Sequence, residues 1–165
     1  MTMPAPDGTL TPSLSAQERE ALLGIARGKT TAETAADMGV SESTVKTYLI
    51  RIGGKLGTLE RAAMVNLAYR HHHLDTPSPV DSKVQLPTEQ RAVLDRLAGG
   101  RTVEEMAADE QRPLSDVRKD ARRMLRGLGA SSAAHAITRG WQLGFLGTAA
   151  GAEGSRDIAA MAGSA

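Results

Sequence analysis

Apolar residues near the start of the chain recur at steps of three and four, which is the spacing of one face of a helix. Ser15 and Glu18 have the spacing of a capping box, so a first helix should begin directly after Ser15. Leu22 and Ile25 lie on its apolar face, and Gly28 has the position of a glycine that ends a helix. The pattern predicts one amphipathic helix up to Arg27.

Two more capping residues follow at short intervals. Thr30 and Glu33 repeat the capping-box spacing and predict a short second helix, which Gly39 closes with a tight turn. Ser41 then caps a third helix over about 42–56. A short helix, a glycine turn and a longer helix are the parts of a helix-turn-helix motif.

The third helix has an apolar stripe formed by Val45, Leu49, Ile52 and Leu56. Gly53 and Gly54 interrupt it, and each glycine costs about 1 kcal/mol relative to alanine inside a helix. We therefore expect this helix to bend or fray near its end. After Gly57, a fourth helix is predicted from Thr58, with Ala62, Val65 and Tyr69 on one side.

The chain also contains an internal repeat. Shifted by 72 residues, it matches itself without gaps at 16 of the 56 positions from 14 to 69, where about four or five matches are expected by chance. The repeat predicts second-half helices near 88–98, 103–110, 114–127 and 132–145. The fold class is therefore all-α, with two tandem four-helix units.

Composition places the boundaries of these units. Prolines at 77 and 79 indicate an extended linker, and the end of the chain is rich in Gly, Ala and Ser. We predict a flexible N-terminus over 1–13, a first domain over 14–73, a linker over 74–85, a second and degenerate domain over 86–146, and a disordered tail over 147–165.

The bulk composition excludes several classes of function. Aromatic residues make up only 2% of the chain, which argues against single-strand binders that stack bases on aromatic side chains. There is no cysteine, and we find no catalytic, phosphate-loop or metal-ligand motif. We expect no enzyme activity, no cofactor and no metal, and we read His71, His72 and His73 as a solvated helix end. No segment suggests a signal peptide or a membrane span, so we expect a cytoplasmic, nucleoid-associated protein.

Two runs carry a family resemblance. The run LSAQEREAL at 14–22 and the run GVSESTVKTY at 39–48 resemble the opening and the recognition helix of the LuxR/GerE-type (NarL-like) DNA-binding domain, and KLG at 55–57 resembles its close. The resemblance covers 14–70 and, through the repeat, extends more weakly to 86–145. It implies a bacterial transcription regulator that binds double-stranded DNA, commonly as a dimer joined through the fourth helix.

The resemblance and the helix pattern together suggest which residues contact DNA. Lys46 is the strongest candidate, because the family has a DNA-contacting lysine there. Ile50 shares its face and departs from the family pattern, since many relatives have a polar or basic residue at that position. Hydroxyls and cations around Lys46 complete the expected contacts of the first unit. These further residues are Thr30, Thr31, Ser43, Thr44, Thr47, Arg51 and Lys55.

The second unit differs from the first in its turn and its charges. The turn reads Glu110, Gln111, Arg112 and Pro113, so its glycine is gone and a proline stands where Ser41 caps the first unit. The helix that follows is rich in cations. Two interpretations stay open: the unit binds phosphates with little base reading, or it is kept for packing or dimerisation. The expected phosphate contacts are Arg118, Lys119, Arg122 and Arg123.

Two features of the second unit lead to further expectations. Asp120 has only loose partners nearby, so it should stay near the surface. The last helix carries Ile137, Trp141, Leu143, Phe145 and Leu146 and should expose more apolar surface than its equivalent in the first unit. That surface either fills the unit's own core or binds a partner protein.

The leading hypothesis is therefore a DNA-binding transcription regulator that acts as a homodimer or as an intramolecular pseudo-dimer. The alternative is a regulator that binds a sigma factor, RNA polymerase or another regulator through its second domain.

Overall fold

The computed structural model describes residues 12–147 of the chain, so most of the predicted N-terminal segment and nearly all of the predicted tail lie outside the described residues. Within 12–147 there are helices and no strands, which confirms the all-α prediction. The helices are α1 (Ala16–Ala26), α2 (Thr31–Met38), α3 (Glu42–Leu56), α4 (Arg61–Arg70), α5 (Thr88–Ala98), α6 (Val103–Glu110), α7 (Leu114–Leu128) and α8 (Ala133–Gln142).

Local capping signals account for most of the helix boundaries. Ser15 and Glu18 form a complete capping box at α1, and Thr30 and Glu33 form another at α2, as predicted. Gly39 has the left-handed conformation, with φ of 69°, and turns the chain between α2 and α3. These interactions satisfy backbone donors and acceptors that a helix leaves free at its ends.

The expected bend at Gly53 and Gly54 is wrong, because α3 is continuous to Leu56. Gly53 is buried, and a Cβ atom there would lie 2.7 Å from the carbonyl oxygen of Thr58. The glycine thus lets the turn after α3 approach the helix closely. Packing of that turn offsets the low helix propensity.

Two predicted helix ends also differ from the structure. The fourth helix begins at Arg61 and not at Thr58, because the Thr58 hydroxyl accepts a hydrogen bond from the Glu60 amide in a turn before the helix. The last helix ends at Gln142 and not at 145, because Gly144 turns the chain with φ of 81°. The amide of Leu146 then donates to the carbonyl of Gly140 and closes the turn.

The second turn keeps its shape without glycine. Gln111 has φ of 53° at the position where the first turn has Gly39, and Pro113 occupies the N-cap position of α7. Left-handed backbone is unfavourable for a residue with a Cβ atom, so this turn is more strained than the first.

All eight helices share one hydrophobic core, and contacts between the two halves come mainly from α4 and α8. The end of α1 packs on the start of α8, where the Ser131 hydroxyl donates to the Gly28 carbonyl oxygen at 3.0 Å. In the reciprocal contact, α5 packs against α4, with Gly100 beside Ala63. The contact between α1 and α8 therefore corresponds to the contact between α5 and α4, with the two halves exchanged.

Two reciprocal hydrogen bonds lie at the centre of the α4–α8 contact. The Tyr69 hydroxyl and the Thr138 hydroxyl lie 2.8 Å apart, and the Trp141 indole nitrogen donates to the Asn66 side-chain oxygen at 2.9 Å. All four side chains are buried. Buried polar groups are costly unless they are paired, so these bonds specify how the two helices pack.

The expectation that the last helix exposes much apolar surface is therefore wrong. Ile137 is fully buried, Trp141 and Leu146 are almost so, and Leu143 and Phe145 are half-buried. Trp141, Ile137 and their neighbours pack against the first half of the chain as well as their own. Between α4 and α5, residues 75–87 form no helix or strand, and the Val80 amide donates to the Gln142 carbonyl oxygen at 2.9 Å.

Candidate nucleic-acid interface

One face of α3 is turned to solvent along most of its length. Ser43, Lys46, Thr47 and Ile50 lie within about 100° of one another around the helix axis, since each residue advances by about 100°. All four are exposed, whereas Val45, Leu49 and Ile52 on the opposite side are buried. The helix is anchored by its apolar side and presents a polar and cationic face with one large apolar residue.

The hydroxyl groups at the start of α3 form a small network around its cap. The Ser41 hydroxyl oxygen accepts a hydrogen bond from the Thr44 amide and lies 2.9 Å from the hydroxyl oxygens of both Ser43 and Thr44. The Thr47 hydroxyl donates to the Ser43 carbonyl oxygen at 3.0 Å. These contacts hold Ser43, Thr44 and Thr47 in defined positions at the front of the helix.

Lys46 and Arg51 extend the positive charge of this face. Among the ion pairs found within 12–147, none involves either side chain, and both residues are exposed. A cation that has no carboxylate partner within the chain can pair with an external anion without first breaking an ion pair.

Lys55 has different surroundings. Its ammonium group donates to a carboxylate oxygen of Glu18 at 2.6 Å and to the Ser13 carbonyl oxygen at 3.0 Å. Burial opposes ionisation of Glu18, but hydrogen bonds from Lys55 and the Ser15 amide outweigh it and lower the pKa of the carboxyl group. Lys55 thus ties the end of α3 to the cap of α1.

Thr30 and Thr31 lie at the start of α2. The Thr30 hydroxyl oxygen accepts from the Glu33 amide, and the Thr30 amide donates to the Glu33 carboxylate, each at 3.1 Å. Thr30 is exposed and Thr31 half-buried. The capping box therefore already uses the hydroxyl oxygen and the amide of Thr30, one of the predicted DNA contacts.

In the second half, α7 presents a row of exposed cations. Lys119, Arg122 and Arg123 take part in none of the ion pairs of the described residues, whereas Arg118 lies 3.3 Å from Glu104. An exposed pair of that kind contributes little to stability and is easily exchanged for an external anion.

The expectation that Asp120 stays near the surface is wrong. Its side chain is buried, and a carboxylate oxygen accepts a hydrogen bond from the Arg112 guanidinium at 2.7 Å. That hydrogen bond raises the pKa of Arg112. The pair offsets the charge of one of the two carboxylates of α7, while the other, Asp116, stays exposed.

A shallow hollow of about 340 Å³ lies beside α3, and sequence reasoning missed it. It is lined by Lys46, Leu49, Ile50, Leu59, Arg61 and Met64. Arg61 was missed because the fourth helix was predicted to begin at Thr58, which hides its place as the first residue of α4. Among the described residues, no carboxylate lines this hollow.

The three histidines do not share one environment. His71 and His72 are exposed after the end of α4, whereas His73 is half-buried and burial lowers its pKa. Among residues 12–147 no group of His, Asp and Glu side chains has the arrangement of a metal site. In that same part of the chain, no helix is both long and apolar enough to cross a membrane.

Comparisons with known proteins agree with the geometry of the first half. Residues 12–68 match the GerE family, described as bacterial regulatory proteins of the luxR family. These residues hold α1 to α3 and most of α4, with Ser41, Lys46 and Gly57 in the region of the match. They form one LuxR-type helix-turn-helix domain.

The relatives are named as transcription regulators. Over 64 residues the chain is 48% identical to the probable transcriptional regulatory protein NarL of Mycobacterium tuberculosis, which covers 39% of this chain and 30% of that protein. It is 43% identical over 60 residues to the HTH-type transcriptional activator RamA of Corynebacterium glutamicum, covering 36% and 21%.

A further relative is the probable transcriptional regulatory protein SgaR of Hyphomicrobium methylovorum, at 46% identity over 55 residues, covering 33% of this chain and 26% of SgaR. The chain thus spans less than a third of the length of these relatives. No solved structure matches it.

Proposed function

We propose that the chain is a DNA-binding transcription regulator that inserts α3 into the major groove. The observation that carries this proposal is the exposed face of α3 inside a LuxR-type domain, with Lys46 and Arg51 outside all ion pairs of residues 12–147. Lys46 and Thr47 would meet base edges, and Ser43, Thr44 and Arg51 would meet the groove wall and the phosphates. Such a protein works in the cytoplasm, on the nucleoid.

Two other predicted contacts take supporting roles in this proposal. Lys55 holds Glu18 and so fixes α3 against α1, which positions the reading helix without itself neutralising a phosphate. Thr30 keeps α2 capped, and Thr31 at the helix start offers a backbone amide to a phosphate.

We propose further that residues 86–146 are a second domain of the same type, and that 74–85 links the two. The four helices of each half have the same lengths in the same order, and α4 and α8 pack with reciprocal hydrogen bonds. One chain would then act as a pseudo-dimer, with α7 contributing phosphate contacts from Arg118, Lys119, Arg122 and Arg123.

The alternative, a partner protein bound to the apolar last helix, has less support. Its central residues Ile137 and Trp141 are buried against the rest of the chain, so this helix presents little apolar surface to a partner.

A binding experiment with matched variants tests the proposal. The chain is incubated with a randomised duplex library, the bound duplexes are selected and sequenced, and affinities for the selected duplex are measured at several salt concentrations. We expect Lys46→Ala to weaken binding by about 1–3 kcal/mol and to relax the preference at one position. Arg122→Ala should weaken binding to all duplexes alike and lower the salt dependence by about one counterion.

Lys83→Ala is the control, because it removes an exposed positive charge from the segment between α4 and α5. It should bind the selected duplex as the parent chain does. Binding that is unchanged in both Lys46→Ala and Arg122→Ala would contradict the proposal.

A further inference from the structure

Ile50 is an unusual residue for a solvated helix face. Its side chain is 65% exposed, although it lies midway along α3 and follows Lys46 by one helical turn. Burying an isoleucine side chain is favourable, and the chain by itself leaves that gain unused here. A single exposed apolar residue is common, so its meaning depends on what surrounds it.

The surroundings of Ile50 favour a polyanion. The hollow beside it is lined by the two cations Lys46 and Arg61, and none of its lining residues within 12–147 is acidic. Thr47 and Ser43 lie on the same face of the helix and offer hydrogen-bonding groups. On such a face the cations and hydroxyls are suited to the phosphates of DNA, and the apolar residue between them is suited to the base edges in the major groove.

Within the major groove, the C5 methyl group of thymine is the apolar feature that distinguishes one base pair from the others. A branched side chain such as isoleucine makes van der Waals contact with that methyl group and offers no hydrogen bond to a competing base edge. Contact of this kind selects A·T at one position and in one orientation.

We infer that Ile50 is a specificity-determining residue that contacts a thymine methyl group in the site bound by α3. This inference rests on the proposed function and adds to it a defined base preference. At the equivalent position of the repeat the second half has Arg122, so methyl-dependent recognition belongs to the first half alone. The bound site is therefore asymmetric at this position.

The test uses two randomised duplex libraries, one built with thymidine and one with deoxyuridine, which lacks the methyl group. We expect the chain to enrich a fixed thymidine from the first library and to show no preference there in the second. Replacing that one thymidine by deoxyuridine should weaken binding about fourfold, the effect of one buried methyl group.

Ile50→Ala should lose the same preference and become indifferent to deoxyuridine, while its other preferences remain. Its side chain is exposed and alanine favours helices, so the variant should keep the fold, which circular dichroism checks. Leu59→Ala is the matched control, since Leu59 is 74% exposed in the same hollow but lies outside α3.

The outcomes separate the two claims. Enrichment of the same sequence from both libraries, or an unchanged preference in Ile50→Ala, would overturn the role of Ile50 and leave the proposed function standing. Absence of any enrichment from either library would overturn the proposed function and this inference with it.

Discussion

The rings of Tyr69 and Trp141 pack against each other across α4 and α8, with their centroids 5.5 Å apart and their planes tilted by 56°. The two residues are separated by 72 positions, the period of the repeat. Each binds a residue three positions before the other: Tyr69 pairs with Thr138, and Trp141 pairs with Asn66. The contact thus joins equivalent positions of the two halves with nearly two-fold symmetry, although the side chains at those positions differ.

Loss of the Asn66 side chain should destabilise the fold more than loss of the Tyr69 hydroxyl. In Asn66→Ala the buried indole N–H of Trp141 loses its acceptor, which costs about 1–3 kcal/mol. In Tyr69→Phe the Thr138 hydroxyl can turn to a backbone carbonyl of its own helix, so we expect about 0.5–1.5 kcal/mol. Urea unfolding of both variants measures the difference, and equal losses would contradict this account.

The two glycines of α3 should respond in opposite directions to alanine. A Cβ atom at Gly53 would meet the Thr58 carbonyl oxygen at 2.7 Å, so Gly53→Ala should lose about 1–2 kcal/mol despite its better helix propensity. At Gly54 no atom of the described part of the chain lies within 4 Å of such a Cβ atom, and Gly54→Ala should gain about 1 kcal/mol. Thermal unfolding compares the pair, and a stabilised Gly53→Ala would disprove the close approach.

The Glu18–Lys55 pair should make the free energy of unfolding depend on pH in the acidic range. Because the pKa of Glu18 is lowered in the folded chain, its stabilisation is fully present above its unfolded pKa and is lost as pH falls through the folded value. Glu18→Gln keeps a capping side chain but removes the charge, so it should cost about 1–2 kcal/mol at neutral pH. The deficit should shrink below about pH 4.

Glu33→Gln is the matched control for that experiment, because Glu33 closes the exposed capping box of α2. Its unfolding free energy should follow that of the parent chain across the same range of pH. A constant deficit of Glu18→Gln at every pH would show that the charge of Glu18 is irrelevant.

One chain should occupy one complete DNA site. The α4–α8 surface that would join two copies is already buried within the chain, so we expect one 17.4 kDa chain per selected duplex. Sedimentation of the complex with a labelled duplex measures this ratio. Two chains on the shortest duplex that binds with full affinity would contradict the pseudo-dimer.

Local signals explain why so much of the fold could be predicted. The capping boxes at Ser15 and Thr30 and the turn at Gly39 act within a few residues, and the sequence displays all of them. The exposed face of α3 follows from helical periodicity alone. These features placed most of the helices and brought Ser43, Lys46 and Thr47 together.

Features that depend on distant residues escaped prediction. Lys55 meets Glu18 across 37 positions, and Trp141 meets Asn66 across 75. Periodicity shows that α8 is apolar but does not show that α4 covers it. The continuity of α3 escaped prediction for the same reason. Glycine is required at position 53 because the turn at Thr58 approaches the helix closely there, and the sequence pattern does not show that contact.

If the chain acts as the proposed pseudo-dimer, the packing of α4 on α8 also determines how DNA occupancy depends on the number of protein molecules. Two separate subunits must first find each other, so at low abundance the occupancy of their operator rises with the square of their copy number. A reader that carries both halves in one polypeptide has no such step, and its occupancy rises in simple proportion to the number of molecules. Joining the halves would therefore replace an occupancy that is quadratic in copy number by one that is proportional to it.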